Sequence, residues 1–142
     1  MDHYEDNIQQ FNDSLDRISD TPFYDVFYQI FLNHSKEISD KFKNTDFNKQ
    51  KLMLKRSVAY VLNYYIYKKP SERLKKLAIM HSSKQLDIKP EMYDIWLDSI
   101  IEALSQCDPR FTKSVEAAWR EVMQPGIEAK ISTQKAKMPG KD

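Results

Sequence analysis

An all-α domain of six or seven helices is what this sequence predicts, and three observations carry the prediction. Apolar residues recur at three- and four-residue spacing along most of the chain, while the two-residue alternation of a half-buried strand is absent. Most of the six prolines stand where a helix would begin, in a first turn where a missing N–H costs nothing. Glycine is almost missing: Gly126 and Gly140 are the only two, both near the C-terminus. The body of the chain therefore has no residues free for a glycine-rich phosphate cradle, and nucleotide-binding loops of that type are excluded.

The elements follow in order. "YEDNIQQFNDSLDRIS" makes an amphipathic helix through Ile8, Phe11, Leu15 and Ile18. Thr21-Pro22 opens a short aromatic stripe of Phe23, Val26, Phe27, Ile30 and Phe31, followed by the polar turn "LNHSKE" with His34. Asp46 is an N-cap type residue ahead of a long segment. In that segment "VAYVLNYYIY" is crowded with residues that favour strands. Phe47, Gln50, Leu54, Val58, Val61, Leu62 and Tyr65 nevertheless keep helical period throughout, so it reads as helix.

Ser71, just after Pro70, opens the next helix, where Leu74, Leu77 and His81 in "LKKLAIMHSSKQL" share an apolar stripe. Lys89-Pro90 opens "PEMYDIWLDSIIEAL", whose Tyr93, Trp96, Leu97, Ile100, Ile101 and Leu104 form a full buried face. Asp108-Pro109 opens the last helix, through Phe111, Val115, Ala118, Trp119, Val122 and Met123, which ends before Pro125-Gly126. Residues 1–130 form the domain, and residues 131–142 are expected to be a disordered polar tail.

Composition sets the class. A chain of 142 residues with 41% hydrophobic and 30% charged residues can bury a real core. Twenty-two basic residues against 21 acidic ones leave a net charge of +1, so no overall charge draws the chain to nucleic acid or to acidic membranes. Cys107 is the only cysteine, which excludes an intramolecular disulfide and a cysteine-based zinc site and fits a reducing cytosol. The N-terminus lacks the regions of a signal peptide, and no uncharged run approaches the roughly 20 residues of a membrane helix. A cytoplasmic protein is expected.

From residue type and period alone, His81 reads as a core histidine sooner than as a ligand. An imidazole in apolar surroundings stays neutral and able to coordinate a metal, and the Leu77 carbonyl one turn back is a partner for its second nitrogen. Gln50 and Tyr28 are polar members of stripes that a plain core would not choose.

Several segments, in order, resemble the bacterial globins. "LKKLAIMHSSKQLDIKPEMYDIWLDSII" is similar to their F helix, FG turn and G helix, and "FYQIFLNHSKEISDKFKNTDFNKQKLML" to the B through E helices. "CDPRFTKSVEAAWREVM" resembles their H helix, and the likeness extends to the globin domain of flavohaemoglobins. The resemblance implies a globin fold around a haem pocket, with heme b as cofactor and iron on His81. Phe42 then matches the phenylalanine that stacks on the haem, Gln50 the distal position of the E helix, and Tyr28 the distal tyrosine of the B helix. Leu54 lines the distal pocket, Tyr93 resembles a tyrosine near the proximal histidine, and Leu77, Gln85 and Trp96 complete the expected haem contacts.

The late H-helix acid of flavohaemoglobins has no counterpart, because Glu128 follows Pro125. No flavin or nicotinamide module is expected after the globin domain, so turnover needs a separate electron-donor reductase. The implied function is binding of O2, NO and CO with high O2 affinity, extending to support of nitric oxide dioxygenation. The alternative is a haem-based gas sensor acting through a protein partner.

Overall fold

The computed structural model describes the backbone of residues 3–67 and 91–136, with side chains for 5–67 and 91–128. Six α-helices and no strand occur among the described residues: α1 (His3–Ile18), α2 (Phe23–Leu32), α3 (Lys36–Lys41), α4 (Phe47–Tyr67), α5 (Met92–Cys107) and α6 (Lys113–Ala136). Residues 68–90, with the expected helix starts at Ser71 and Pro90 and with Leu77, His81 and Gln85, lie outside them.

Each helix forms for a local reason. In α1 the spacing of Phe11, Ser14 and Ile18 puts all three on the buried side, with Ile8 and Leu15 packed beside them. It stops where the Thr21 hydroxyl donates to the Ile18 carbonyl at 2.7 Å, satisfying an orphan acceptor. Pro22 then occupies the N-cap of α2, and its carbonyl receives the Val26 N–H at 2.9 Å. "LNHSKE" is more than a turn: Ser35, in extended backbone, accepts from the Ile38 N–H and starts the short α3. Asp46 caps α4 as expected, its carboxylate accepting from Asn48 N–H at 3.1 Å and Lys49 N–H at 3.4 Å.

Two sequence expectations for the last helix are corrected. Asp108-Pro109 does not open it; Asp108 is the C-cap of α5. Thr112 starts α6 instead, its hydroxyl accepting from Val115 N–H and its carbonyl from Glu116 N–H. Nor does α6 end before Pro125-Gly126. It runs through Pro125 to Ala136, into the segment expected to be a polar tail. The buried residues Val122, Met123 and Ile127 straddle the proline, so packing on both sides outweighs the backbone hydrogen bond that Pro125 cannot make.

α6 is the spine. α1 and α4 both pack against it, and α2 lies on α5. The fully buried Trp119 of α6 meets Phe11 of α1 with ring centroids 4.3 Å apart and Phe23 of α2 at 6.3 Å. α4 approaches α6 closely at Gly126, where a Cβ would stand 2.8 Å from a Val61 methyl. No helix among the described residues is long and apolar enough to cross a membrane.

Candidate functional site

α2, the end of α3, α4 and α5 converge on a cluster of aromatic rings. α2 contributes Phe27, Tyr28 and Phe31, spaced so that all three are buried. Phe27 stacks on Phe31 at 5.4 Å and meets Trp96 of α5 edge-on at 6.1 Å. Phe42, the C-cap of α3, is 3% exposed and lies 5.8 Å from Phe31 and 6.4 Å from Tyr28. Phe47, first residue of α4, closes the group at 5.5 Å from Tyr28 and 6.5 Å from Phe42.

One phenol projects among these rings. Tyr28 is 6% exposed, and its hydroxyl donates to the backbone carbonyl of Gln50 at 3.4 Å. Burial raises the Tyr28 pKa well above the ordinary tyrosine value, against a smaller opposing pull from the nearby Gln50 side chain. The group therefore keeps its proton at every physiological pH and acts as a donor.

Gln50 is half-buried on the inward face of α4, which it shares with Leu54, Ser57, Val58 and Val61. Its side-chain amide makes no hydrogen bond among the described residues, so the backbone of Gln50, rather than the amide, is what meets Tyr28. Leu54 is buried one turn further on, and Tyr93 and Trp96 of α5 are buried at 3% and 9% exposure.

Of the residues singled out from sequence, Tyr28, Phe42, Gln50, Leu54, Tyr93 and Trp96 thus all lie on inward faces. Leu77, His81 and Gln85 lie outside the described residues. Among the described residues no three His, Cys, Asp or Glu side chains gather to hold a metal ion. A separate open groove of about 520 Å³ between α2 and α5, lined by Val26, Gln29, Asn33, His34, Glu102 and Gln106 among others, contains none of these residues.

No family model matches the chain, and no curated protein matches it. A solved structure does. A protein from Pseudomonas aeruginosa PAO1, described as structurally highly homologous to a human hemoglobin, superposes with a TM-score of 0.77. It is 35% identical in sequence, over 89% of this chain and 97% of that one.

The chain belongs to the bacterial globins.

In this globin the aromatic wall extends beyond Tyr28 and Phe42. Phe27, Phe31 and Phe47, which by period alone are members of a helix stripe, stand beside Tyr28 and Phe42. The signal for Phe47 was its position three residues before Gln50 on one helix. The globin also places Glu128 on α6 rather than beyond its end. Glu128 is exposed and accepts from the Gln124 amide at 3.2 Å, so it faces solvent and not the site.

Proposed function

We propose that this globin binds haem and takes O2, NO and CO at an iron held by His81. Tyr28 and Gln50 serve as hydrogen-bond donors on the opposite wall. The observation that supports this most is the buried phenol of Tyr28 beside Gln50, set in a ring of phenylalanines, in a chain of globin fold. A buried Tyr is ordinary, and so is a phenylalanine cluster. A wall of flat apolar rings carrying a single protonated donor suits a flat apolar cofactor with a small polar ligand on one side.

Haem with ferrous iron supplies, when bound, a coordination position open to a diatomic ligand. Phe42 and Trp96 are the residues that would pack against it, and Leu54 would bound the space beside its ligand. Tyr28 donates to Gln50 over 3.4 Å, beyond the usual O–H···O range of about 2.5–3.0 Å, so this hydrogen bond is weak and easily exchanged. Rotation about its C–O bond re-aims the proton at a ligand that becomes negatively polarised on binding. The Gln50 amide has N–H donors to add. Each such hydrogen bond to a charged group is worth about 1.5–3 kcal/mol, roughly ten- to a hundredfold in affinity. O2, the more polarised ligand, gains more than CO, which fits tight O2 binding better than simple carriage. Conversion of nitric oxide to nitrate with O2 would need the iron returned to the ferrous state by a separate reductase.

The test is one visible spectrum and two variants. Protein expressed with haem supply should show a Soret band, which His81→Ala removes or shifts. Tyr28→Phe should raise the O2 dissociation rate by about tenfold or more, one lost hydrogen bond. Full haem retention with an unchanged spectrum in His81→Ala would eliminate His81 as the ligand.

A further inference from the structure

The net charge of +1 conceals a strong segregation. Residues 1–40 contain nine acidic side chains and only Arg17 and Lys36 as basic ones, whereas residues 41–76 hold 11 of the 22 basic side chains and only Asp46 and Glu72 as acidic ones. In the fold the two signs sit on different helices. The exposed residues of α1 include Glu5, Asp6, Asp13 and Asp16, and its one cation, Arg17, is tied to Asp108. α4 has Lys49, Lys51, Lys55 and Arg56 and no acidic residue over its 21 positions.

The charges of these residues are placed unfavourably for α4 taken alone. They stand in its N-terminal half, where the helix macrodipole disfavours positive charge, and Lys51 and Lys55 repel one another at i, i+4. Lys51 is neutralised by Asp25 of α2 at 2.7 Å. Lys49, Lys55 and Arg56 are exposed and pair with no carboxylate among the described residues. They share their face with Leu52, 48% exposed, and farther along with Tyr67, 63% exposed, the two large hydrophobic residues most open to solvent among those described.

An exposed leucine flanked by three exposed cations that no described carboxylate neutralises is a patch complementary to a negatively charged protein surface. The apolar face of α4 is turned inward and buried, so little is left outside to enter a lipid surface. We propose that the outer face of α4, centred on Leu52 and ringed by Lys49, Lys55 and Arg56, docks an acidic one-electron carrier protein. The charge on α1 repels the same partner, so the charge separation orients its approach. This rests on the haem reading for its purpose: one electron leaves the carrier's reduced iron–sulfur or flavin centre and converts ferric iron to ferrous, with no bond made or broken.

The experiment uses the full chain expressed with haem supply and an oxidised plant-type 2Fe–2S ferredoxin as probe, with the visible spectrum recorded and binding followed by calorimetry at low and high salt. Binding is expected to weaken by about tenfold or more as salt rises, and by a similar factor at low salt in Lys49→Glu/Lys55→Glu/Arg56→Glu. The milder Lys49→Gln/Lys55→Gln/Arg56→Gln should fall between, and Asp13→Lys/Asp16→Lys should not weaken binding. Binding that ignores salt or the α4 variants overturns the proposal. So does α4-dependent binding to phosphatidylserine vesicles or to duplex DNA that exceeds ferredoxin binding. Since an oxidised probe needs no haem to bind, a Soret band with no ferredoxin binding overturns the docking face alone, while binding with no Soret band overturns only the haem reading.

Discussion

Asp108 shows what a single residue contributes. Its carboxylate is the one buried acidic group among the described residues, and four donors surround it. The Ser14 hydroxyl donates at 2.6 Å, Arg17 Nε and Nη2 at 2.6 and 2.9 Å, and the Arg110 N–H at 2.9 Å. Burial pushes its pKa up, but the hydrogen bonds from Arg17, Ser14 and Arg110 outweigh burial and hold it below the ordinary carboxylate value. The carboxylate thus joins α1 to the end of α5. A depressed pKa contributes stability that is complete above the unfolded-state value of about 3.9 and is lost as pH falls through the folded value. Asp108→Asn should therefore cost about 2–3 kcal/mol at neutral pH, less than a fully buried pair because Arg17 stays partly exposed. Urea unfolding measures the loss, and the variant's stability should also fall less steeply below pH 4. From sequence Asp108 looked like a helix start, since its partners Ser14 and Arg17 are distant in the chain.

At the scale of an element, α6 is decided by its neighbours. Pro125-Gly126 is a stop signal by local chemistry, and the helix passes through it because Val122, Met123 and Ile127 are all buried. Gly126 is the point where α4 comes closest, with both Val61 methyls within 3.0 Å of where a Cβ would be. In an exposed helix Gly→Ala stabilises by about 1 kcal/mol. Here the added methyl meets a β-branched side chain that cannot rotate away, and overpacking costs about 1–3 kcal/mol. Gly126→Ala should therefore destabilise by about 1 kcal/mol, and its cost should be smaller when measured in a Val61→Ala background. A gain in the urea midpoint for Gly126→Ala alone would show that the two helices have room to part. α4 teaches the opposite lesson: its strand-favouring "VAYVLNYYIY" is helical because its period of 3.6 turns one apolar face inward.

Over the whole molecule, α2, α4 and α5 surround a set of aromatic rings, the wall against which the proposed haem would lie. A cofactor that binds only the folded chain adds stability by mass action, about 4 kcal/mol at a free concentration a thousandfold above Kd. For a chain of this length 1 kcal/mol is worth roughly 2–4 °C, so removing haem should lower the Tm by on the order of 10 °C, and by more when the comparison sample has excess haem. Thermal scans of the haem-loaded and haem-stripped protein check this. Equal Tm values would count against a pocket built around the cofactor.

By itself the sequence determined the helical class, the five longer helices among the described residues, the capping role of Asp46 and the inward positions of Tyr28, Phe42, Gln50 and Leu54, but not the short α3. All of these follow from local period and residue type, which repeat every turn and need no knowledge of neighbours. Only the tertiary structure decided that α6 continues past Pro125, that Asp108 binds α1 instead of opening a helix, and that Phe27, Phe31 and Phe47 join the wall around Tyr28. Each depends on a contact between distant segments, and the free energy of that contact overrides the local preference by an amount that spacing along the chain does not contain.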